Sequence, residues 1–115
     1  MPHPAPHGWY PRRGEVYLVR LLGGKTRPAL ILSADLLNKY ALDVCVVPLT
    51  TVQRGDFSLR IPVRPPEGGL ERDSWAKGDQ VHTVEKRDLL HPPLGRIAQP
   101  TMRRIEEAVR AALQL

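Results

Sequence analysis

Prolines and glycines break this chain into short segments, and that restricts what it can fold into. The 115 residues include 12 prolines and 9 glycines. Proline interrupts helices and central strands, whereas glycine clusters mark turns. The segments between these breaks are short and rich in apolar residues, which indicates a mainly β protein built from short strands.

Strand and helix patterns can be assigned to most of these segments. Only after Pro100 does the apolar spacing become helical, with Met102, Ile105 and Val109 on one face. A clear loop is predicted at Pro65–Gly69 and a turn at Pro92–Gly95. The sequence therefore predicts a small β-barrel closed by a C-terminal helix. Its predicted strands are Glu15–Arg20, Pro28–Ser33, Val44–Leu49, Phe57–Val63 and Ser74–Val84.

Length and composition exclude several classes of protein. We expect residues 1–11 to be a flexible, proline-rich leader and residues 12–115 to be a single domain. The single cysteine, Cys45, excludes an intramolecular disulfide framework and a cysteine-rich zinc site. No apolar run reaches the roughly 20 residues that span a bilayer, and no signal core is present. A soluble, cytoplasmic protein is therefore expected.

The charge of the chain points to an anionic partner. The net charge is +5, with nine Lys and Arg against four Asp and Glu in residues 1–66 and eight of each in residues 67–115. Such a local excess suits a polyanion such as nucleic acid, because phosphate contacts release counterions. A solvated basic surface would have the same composition, so charge alone leaves both interpretations open.

Two positions could bind a phosphate. Pro28 biases Arg27 toward an extended backbone, which aims a guanidinium whose planar donors match phosphate oxygens. An arginine in a surface ion pair is the alternative. Thr50 and Thr51 follow a predicted strand, where hydroxyls often cap a turn, but a hydroxyl can also donate to a developing phosphoryl charge.

Gln80 and His82 share one face of a predicted strand. The imidazole of His82 can transfer a proton near neutral pH, although a lone histidine on a strand is often structural. No P-loop, nucleophile elbow or dinucleotide fingerprint is present, and no carboxylate spacing selects a metal ion. RNA carries its own nucleophile, the 2′-hydroxyl, whereas DNA does not.

Three segments in order resemble the MazF/PemK family of toxin endoribonucleases: Thr26–Ser33, Val47–Thr51, and Glu71–Ser74 followed by Asp79–Lys86. The resemblance implies a CcdB/PemK-like, SH3-like barrel with a C-terminal helix, acting as a homodimer. It also implies cleavage of single-stranded mRNA without a metal or other cofactor, leaving a 2′,3′-cyclic phosphate and a 5′-hydroxyl. A cognate antitoxin with an acidic tail would cover the RNA groove.

The resemblance places the family's catalytic arginine on Arg27 and its catalytic threonine on Thr50. The link Arg20–Lys25 contains no carboxylate, which leaves the general base open. Two other functions stay open: a non-enzymatic, gyrase-binding toxin of the CcdB type, and an RNA-binding barrel without catalysis. The candidate RNA-binding residues are Arg20, Lys25, Thr51, Arg54, Gln80 and His82.

Overall fold

The structure, a computed structural model, describes residues 4–53, 55 and 59–115. Arg54, and Phe57 and Ser58 of a predicted strand, lie outside the described residues. Within the described ranges, no helix is both long and apolar enough to cross a membrane. The elements are β1 (Glu15–Arg20), β2 (Thr26–Ile31), α1 (Asp35–Tyr40), β3 (Asp43–Thr50), β4 (Arg60–Val63), β5 (Ser74–Lys77), β6 (His82–Glu85), β7 (Leu89–Arg96) and α2 (Gln99–Leu113).

The strands form an antiparallel sheet in the order β4-β5-β3-β2-β1-β7, and β6 pairs with β3. Strand β3 is central: one edge pairs with β2, and the other pairs with β6 over residues 43–46 and with β5 at residues 49–50. The described strands show no pairing between β4 and β7, so hydrogen bonds do not close the barrel. The prediction of a mainly β fold with a C-terminal helix is confirmed.

The sheet is buried on both faces. On the helix side, Leu30 and Val47 pack with Ile105 of α2. On the opposite side, which we call the cleft side, Ile31 and Val46 form a second apolar cluster. Because neighbouring side chains on a strand alternate between faces, a strand covered on both sides reads as a continuous apolar run. This explains why β2 and β3 carry such runs.

The predicted strand Ser74–Val84 is instead two strands, β5 and β6, separated by a turn that begins at Gly78. A Cβ on Gly78 would lie 2.7 Å from the carbonyl oxygen of Leu59 and 2.6 Å from the Cβ of Ala108. Only glycine fits so close an approach without displacing its neighbours. The break in the strand is therefore built around this glycine.

The prediction of a turn at Pro92–Gly95 is wrong, because strand β7 runs through these residues. Val16 of β1 pairs with Gly95 and Leu18 pairs with Leu90, so the register shifts between these two pairs. The additional residues of β7 bulge out of the ladder there. A bulge accommodates prolines, which have no N–H to donate.

Part of the predicted leader packs against the sheet. The indole Nε1 of Trp9 donates a hydrogen bond to the Tyr17 hydroxyl at 3.2 Å. The Trp9 ring also lies edge-on to His91, with ring centroids 4.3 Å apart, and Pro11 is buried. The domain boundary after residue 11 stays a prediction, but contacts with the sheet begin before it.

Candidate active site

The pairing of β2 with β3 brings Arg27 and Thr50 to the same end of the sheet. Ala29 lies opposite Pro48, and Ile31 lies opposite Val46. The same antiparallel register, continued toward the start of β2, places Arg27 opposite Thr50. Both residues line one cleft of about 410 Å³ at this end of the sheet.

The cleft has an apolar floor and a cationic rim. Val19, Ala29 and Val46 contribute apolar surface, whereas Arg27 and Lys77 contribute positive charge. The described residues that line the cleft include no Asp or Glu. Two cations with no lining carboxylate favour a ligand that carries phosphate groups.

The guanidinium of Arg27 is exposed and largely unengaged. Its Nη1 donates to the backbone carbonyl of Thr26 at 2.9 Å, which uses one of its five N–H donors. The ion pairs found in the described part of the chain do not include Arg27. Among the described residues, therefore, Arg27 has no acidic partner that would hold it in a surface ion pair.

The hydroxyl of Thr50 caps a turn, and within residues 4–53, 55 and 59–115 it has no acceptor for its own proton. Thr50 is half-buried, and its Oγ1 accepts a hydrogen bond from the backbone N–H of Val52 at 3.1 Å. A hydroxyl has two acceptor lone pairs and one O–H donor. Capping the turn uses an acceptor site only, so Thr50 can still donate to a phosphate oxygen.

His82 and Gln80 reach the same cleft from the other edge of β3. His82 is exposed and lies opposite Val46 in the β3–β6 ladder. Gln80 is anchored by its backbone N–H, which donates to the carbonyl of Lys77 at 2.9 Å. The neighbouring Asp79 pairs with Arg60 at 3.1 Å, which ties this turn to β4.

The other predicted RNA-binding residues lie elsewhere. Thr51 lines a separate cleft with Leu70, and Arg20 lines a third cleft beside Trp9. Lys25 is exposed just before β2. The cleft therefore collects Arg27, Thr50, Gln80 and His82 from the predicted set, and the roles of all these residues stay predictions.

Lys77 is the cleft residue that sequence reasoning missed. It is the last residue of β5, and Trp75, two residues earlier, lies opposite Thr50 in the β3–β5 ladder. Residues two apart on a strand share a face. The sequence does show that Trp75 and Lys77 alternate with the small residues Ser74 and Ala76, which indicates that the two larger side chains share one face of a strand. That alternation does not reveal which strand β5 pairs with.

A second group of titratable side chains lies under Trp9. Burial raises the pKa of Tyr17 to about 12, because the phenolate would lose its hydration. Burial also lowers the pKa of His91, against a smaller upward effect of Glu15. Across the residues that the structure describes, no group of three or more His, Cys, Asp or Glu side chains could hold a metal ion.

An antiparallel sheet with a C-terminal helix and a cationic cleft defines a small β protein that is suited to binding a polyanion. The model of a known family, described as "PemK-like, MazF-like toxin of type II toxin-antitoxin system", matches residues 12–113. The chain belongs to this family, so the resemblance found in its sequence is confirmed.

Relatives agree with this assignment over nearly the whole chain. Endoribonuclease MazF9 of Mycobacterium tuberculosis is 27% identical over 115 residues, covering 90% of this chain and 97% of the relative. Endoribonuclease EndoA of Bacillus subtilis is 26% identical, covering 90% and 95%. A solved endoribonuclease in complex with its cognate antitoxin, from a mycobacterial species, is 32% identical with a TM-score of 0.80, covering 91% and 96%.

Proposed function

We propose that this chain, a toxin endoribonuclease of the PemK/MazF family, cleaves single-stranded mRNA in the cleft lined by Arg27 and Thr50. One observation carries the proposal: these two donors line one cleft at the end of β2 and β3, and none of the described residues lining that cleft is an Asp or Glu. A gyrase-binding toxin has no need of such a pair. The named endoribonucleases among the relatives also favour the nuclease over that alternative.

The reaction proceeds by attack of the 2′-hydroxyl on the adjacent phosphorus. A bond forms between the 2′-oxygen and phosphorus while the bond to the 5′-oxygen breaks. The 2′-hydroxyl loses its proton and the departing 5′-oxygen gains one, which gives a 2′,3′-cyclic phosphate and a 5′-hydroxyl. The nucleophile belongs to the substrate, so the protein supplies position, charge stabilisation and proton transfer.

Each side chain has a role that its position allows. The guanidinium of Arg27 binds the non-bridging oxygens as their negative charge grows, and the hydroxyl of Thr50 donates to the same phosphate. The imidazole of His82 lies at the rim of the cleft, where it can accept a proton from the 2′-hydroxyl or donate one to the departing 5′-oxygen. Gln80 has donors and an acceptor for a base or sugar.

The same cleft offers a binding site for an acidic antitoxin segment as well as for RNA. A structural neighbour was solved with its cognate antitoxin, and an acidic antitoxin segment would find here the cations that RNA phosphates use. We expect this chain to be a homodimer that acts in the cytoplasm, where mRNA is translated. Removal of the antitoxin then releases the nuclease.

The experiment combines a modified substrate with a matched pair of variants. The cut site is first mapped on a long RNA, and the same linkage is then offered with one deoxynucleotide on its 5′ side. We expect that linkage to become resistant and the unmodified products to end in a 2′,3′-cyclic phosphate. Cleavage of the deoxy linkage would rule out 2′-hydroxyl attack.

Arg27→Ala tests the catalytic assignment, and Arg104→Ala is its control. Loss of one well-placed donor typically lowers the rate by about 10² to 10³. Arg104 is exposed on α2, on the helix side of the sheet, so its replacement should leave cleavage unchanged. Equal rates for the two variants would contradict the role of Arg27, and inhibition of gyrase supercoiling without RNA cleavage would favour the CcdB-type alternative.

A further inference from the structure

Trp75 lies beside Thr50 on the cleft side of the sheet. The two residues are directly opposite each other in the β3–β5 ladder, and Arg27 of β2, on the other edge of β3, lines the same cleft as Thr50. Directly opposed residues on antiparallel strands have Cβ atoms about 4.5–5.5 Å apart on the same face. Trp75 therefore flanks Thr50 at the margin of the cleft, although it is not among the residues that line the cleft itself.

Lys77 belongs to the same surface. Along β5, Ser74 and Ala76 are buried on the helix side, whereas Trp75 and Lys77 are half-buried and share the cleft side. Lys77 lies opposite Arg60 in the β4–β5 ladder, and Arg60 forms an ion pair with Asp79 at 3.1 Å. None of the ion pairs among the described residues uses Lys77, so its ammonium is available to a ligand.

Trp75 differs from the other tryptophan of the chain. Trp9 is held edge-on by Tyr17 and His91 and donates its indole N–H to Tyr17. The aromatic pairs found within the described ranges do not include Trp75, which lies between Thr50 and Pro62 in the ladder. A half-buried aromatic ring on a sheet, next to a phosphate site and a cation, is the arrangement that stacks an unpaired base.

We propose that Trp75 and Lys77 form a nucleotide subsite of this enzyme, in which Trp75 stacks a base next to the scissile linkage and Lys77 binds an adjoining phosphate. The inference rests on the proposed function, because it takes the linkage to lie between Arg27 and Thr50. The subsite adds a contact to a base, made from β5, to the phosphate contact of Arg27, made from β2. The RNA strand would then be held from both edges of β3. Stacking tolerates every base, so this subsite contributes affinity more than sequence selection.

Fluorescence provides a direct test, because the chain contains only two tryptophans. Trp9→Phe leaves Trp75 as the sole reporter, and Trp75→Phe leaves Trp9. Each variant is titrated with a labelled RNA oligonucleotide that carries a 2′-deoxynucleotide at the mapped cut site, and anisotropy of the label records binding independently. We expect quenching in the Trp9→Phe protein with the same midpoint as the anisotropy, and unchanged emission in the Trp75→Phe protein.

Affinity and salt dependence test the two side chains separately. Trp75→Leu should weaken binding roughly tenfold while Trp75→Phe stays near wild type, because phenylalanine keeps an aromatic face. Lys77→Gln should lower the slope of log affinity against log salt by about 0.7, the value for one phosphate contact on a single strand. Lys39→Gln, an exposed lysine of α1, is the control and should leave the slope unchanged.

The outcomes distinguish this subsite from the proposed function. RNA that binds and is cleaved without quenching Trp75, or equal affinity for Trp75→Leu and wild type, would overturn the subsite and leave the nuclease intact. Absence of both cleavage and RNA binding in the wild type would overturn the proposed function and the subsite with it. If Trp9→Phe does not fold, RNA-induced quenching is compared between wild type and Trp75→Phe instead. The part of the quenching that is present only in wild type is then the signal of Trp75.

Discussion

Replacing Thr50 by valine separates its structural role from its proposed catalytic role. Valine keeps the shape of threonine but removes the hydroxyl, which accepts from the Val52 N–H at 3.1 Å. Val52 is exposed, so water can take over that donor and the net loss of stability should be about 0.5–1.5 kcal/mol. Loss of the donor to the phosphate should lower the cleavage rate by about 10² to 10³, equivalent to about 2.7–4 kcal/mol.

The two effects are measured separately. Thermal unfolding of Thr50→Val should show a melting temperature only a few degrees lower, and single-turnover cleavage with excess enzyme is then recorded well below it. Thr50→Ser restores the hydroxyl and should cleave within about tenfold of wild type. A Thr50→Val enzyme that cleaves within about threefold of wild type would show that Thr50 only caps the turn.

Two further predictions concern the scaffold. Asn38 is buried, accepts from the Ser33 hydroxyl at 2.5 Å and donates to the Ser33 carbonyl at 2.9 Å. Asn38→Leu removes the donor of that carbonyl and leaves the hydroxyl only the more distant Cys45 carbonyl, at 3.4 Å, as acceptor. We expect about 2–5 kcal/mol of destabilisation in denaturant unfolding, and a loss below about 1 kcal/mol would contradict it. Burial lowers the pKa of His91 below its usual 6.5, so protonation favours the unfolded chain and stability is lost as the pH falls below that value. The melting temperature of wild type should therefore drop more steeply between about pH 7 and pH 5 than that of His91→Gln, and parallel curves would refute this.

The sequence was sufficient to predict the class of fold but not the strand register. Apolar runs and helical spacing identify β1, β2, β3 and α2, since these patterns follow directly from burial on one or both faces. Arg27 and Thr50 were predicted through the family resemblance. That they face each other depends on the register of β2 against β3, which neither strand specifies alone.

Lys77 and Trp75 were not predicted as site residues, because the single strand predicted over Ser74–Val84 in fact contains a turn. That turn, which begins at Gly78, sends β5 and β6 to successive stretches of the same edge of β3. Gly78 followed by Asp79 was a recognisable turn signal. Even so, the contact that requires glycine there comes from Leu59 and Ala108, far away in the chain, and no local pattern contains it.

Thr51 is adjacent to Thr50 in sequence but lies outside the cleft that Thr50 lines, and its predicted role in RNA binding stays a prediction. Thr50 lines the cationic cleft, whereas Thr51 lines another cleft with Leu70 and Ser74. Side chains on extended backbone alternate, so immediate neighbours of a site residue usually face away from it. The better candidates lie two residues along a strand or directly across a ladder.

The placement of the proposed site at the end of β3 would allow so small a protein to hold a phosphate in a fixed position. Leu49, next to Thr50, is only 3% exposed and packs on the helix side, while Val46 is buried on the cleft side. A strand clamped from both faces cannot shift its last residue without disturbing both apolar clusters, so packing of β3 helps to hold the backbone of Thr50 in place. Arg27 gains the same support from Ala29 and Ile31 in its own strand. Precision at the proposed phosphate site would thus come from burial of β2 and β3, whereas the half-buried Lys77 and the exposed His82 would adapt to the RNA.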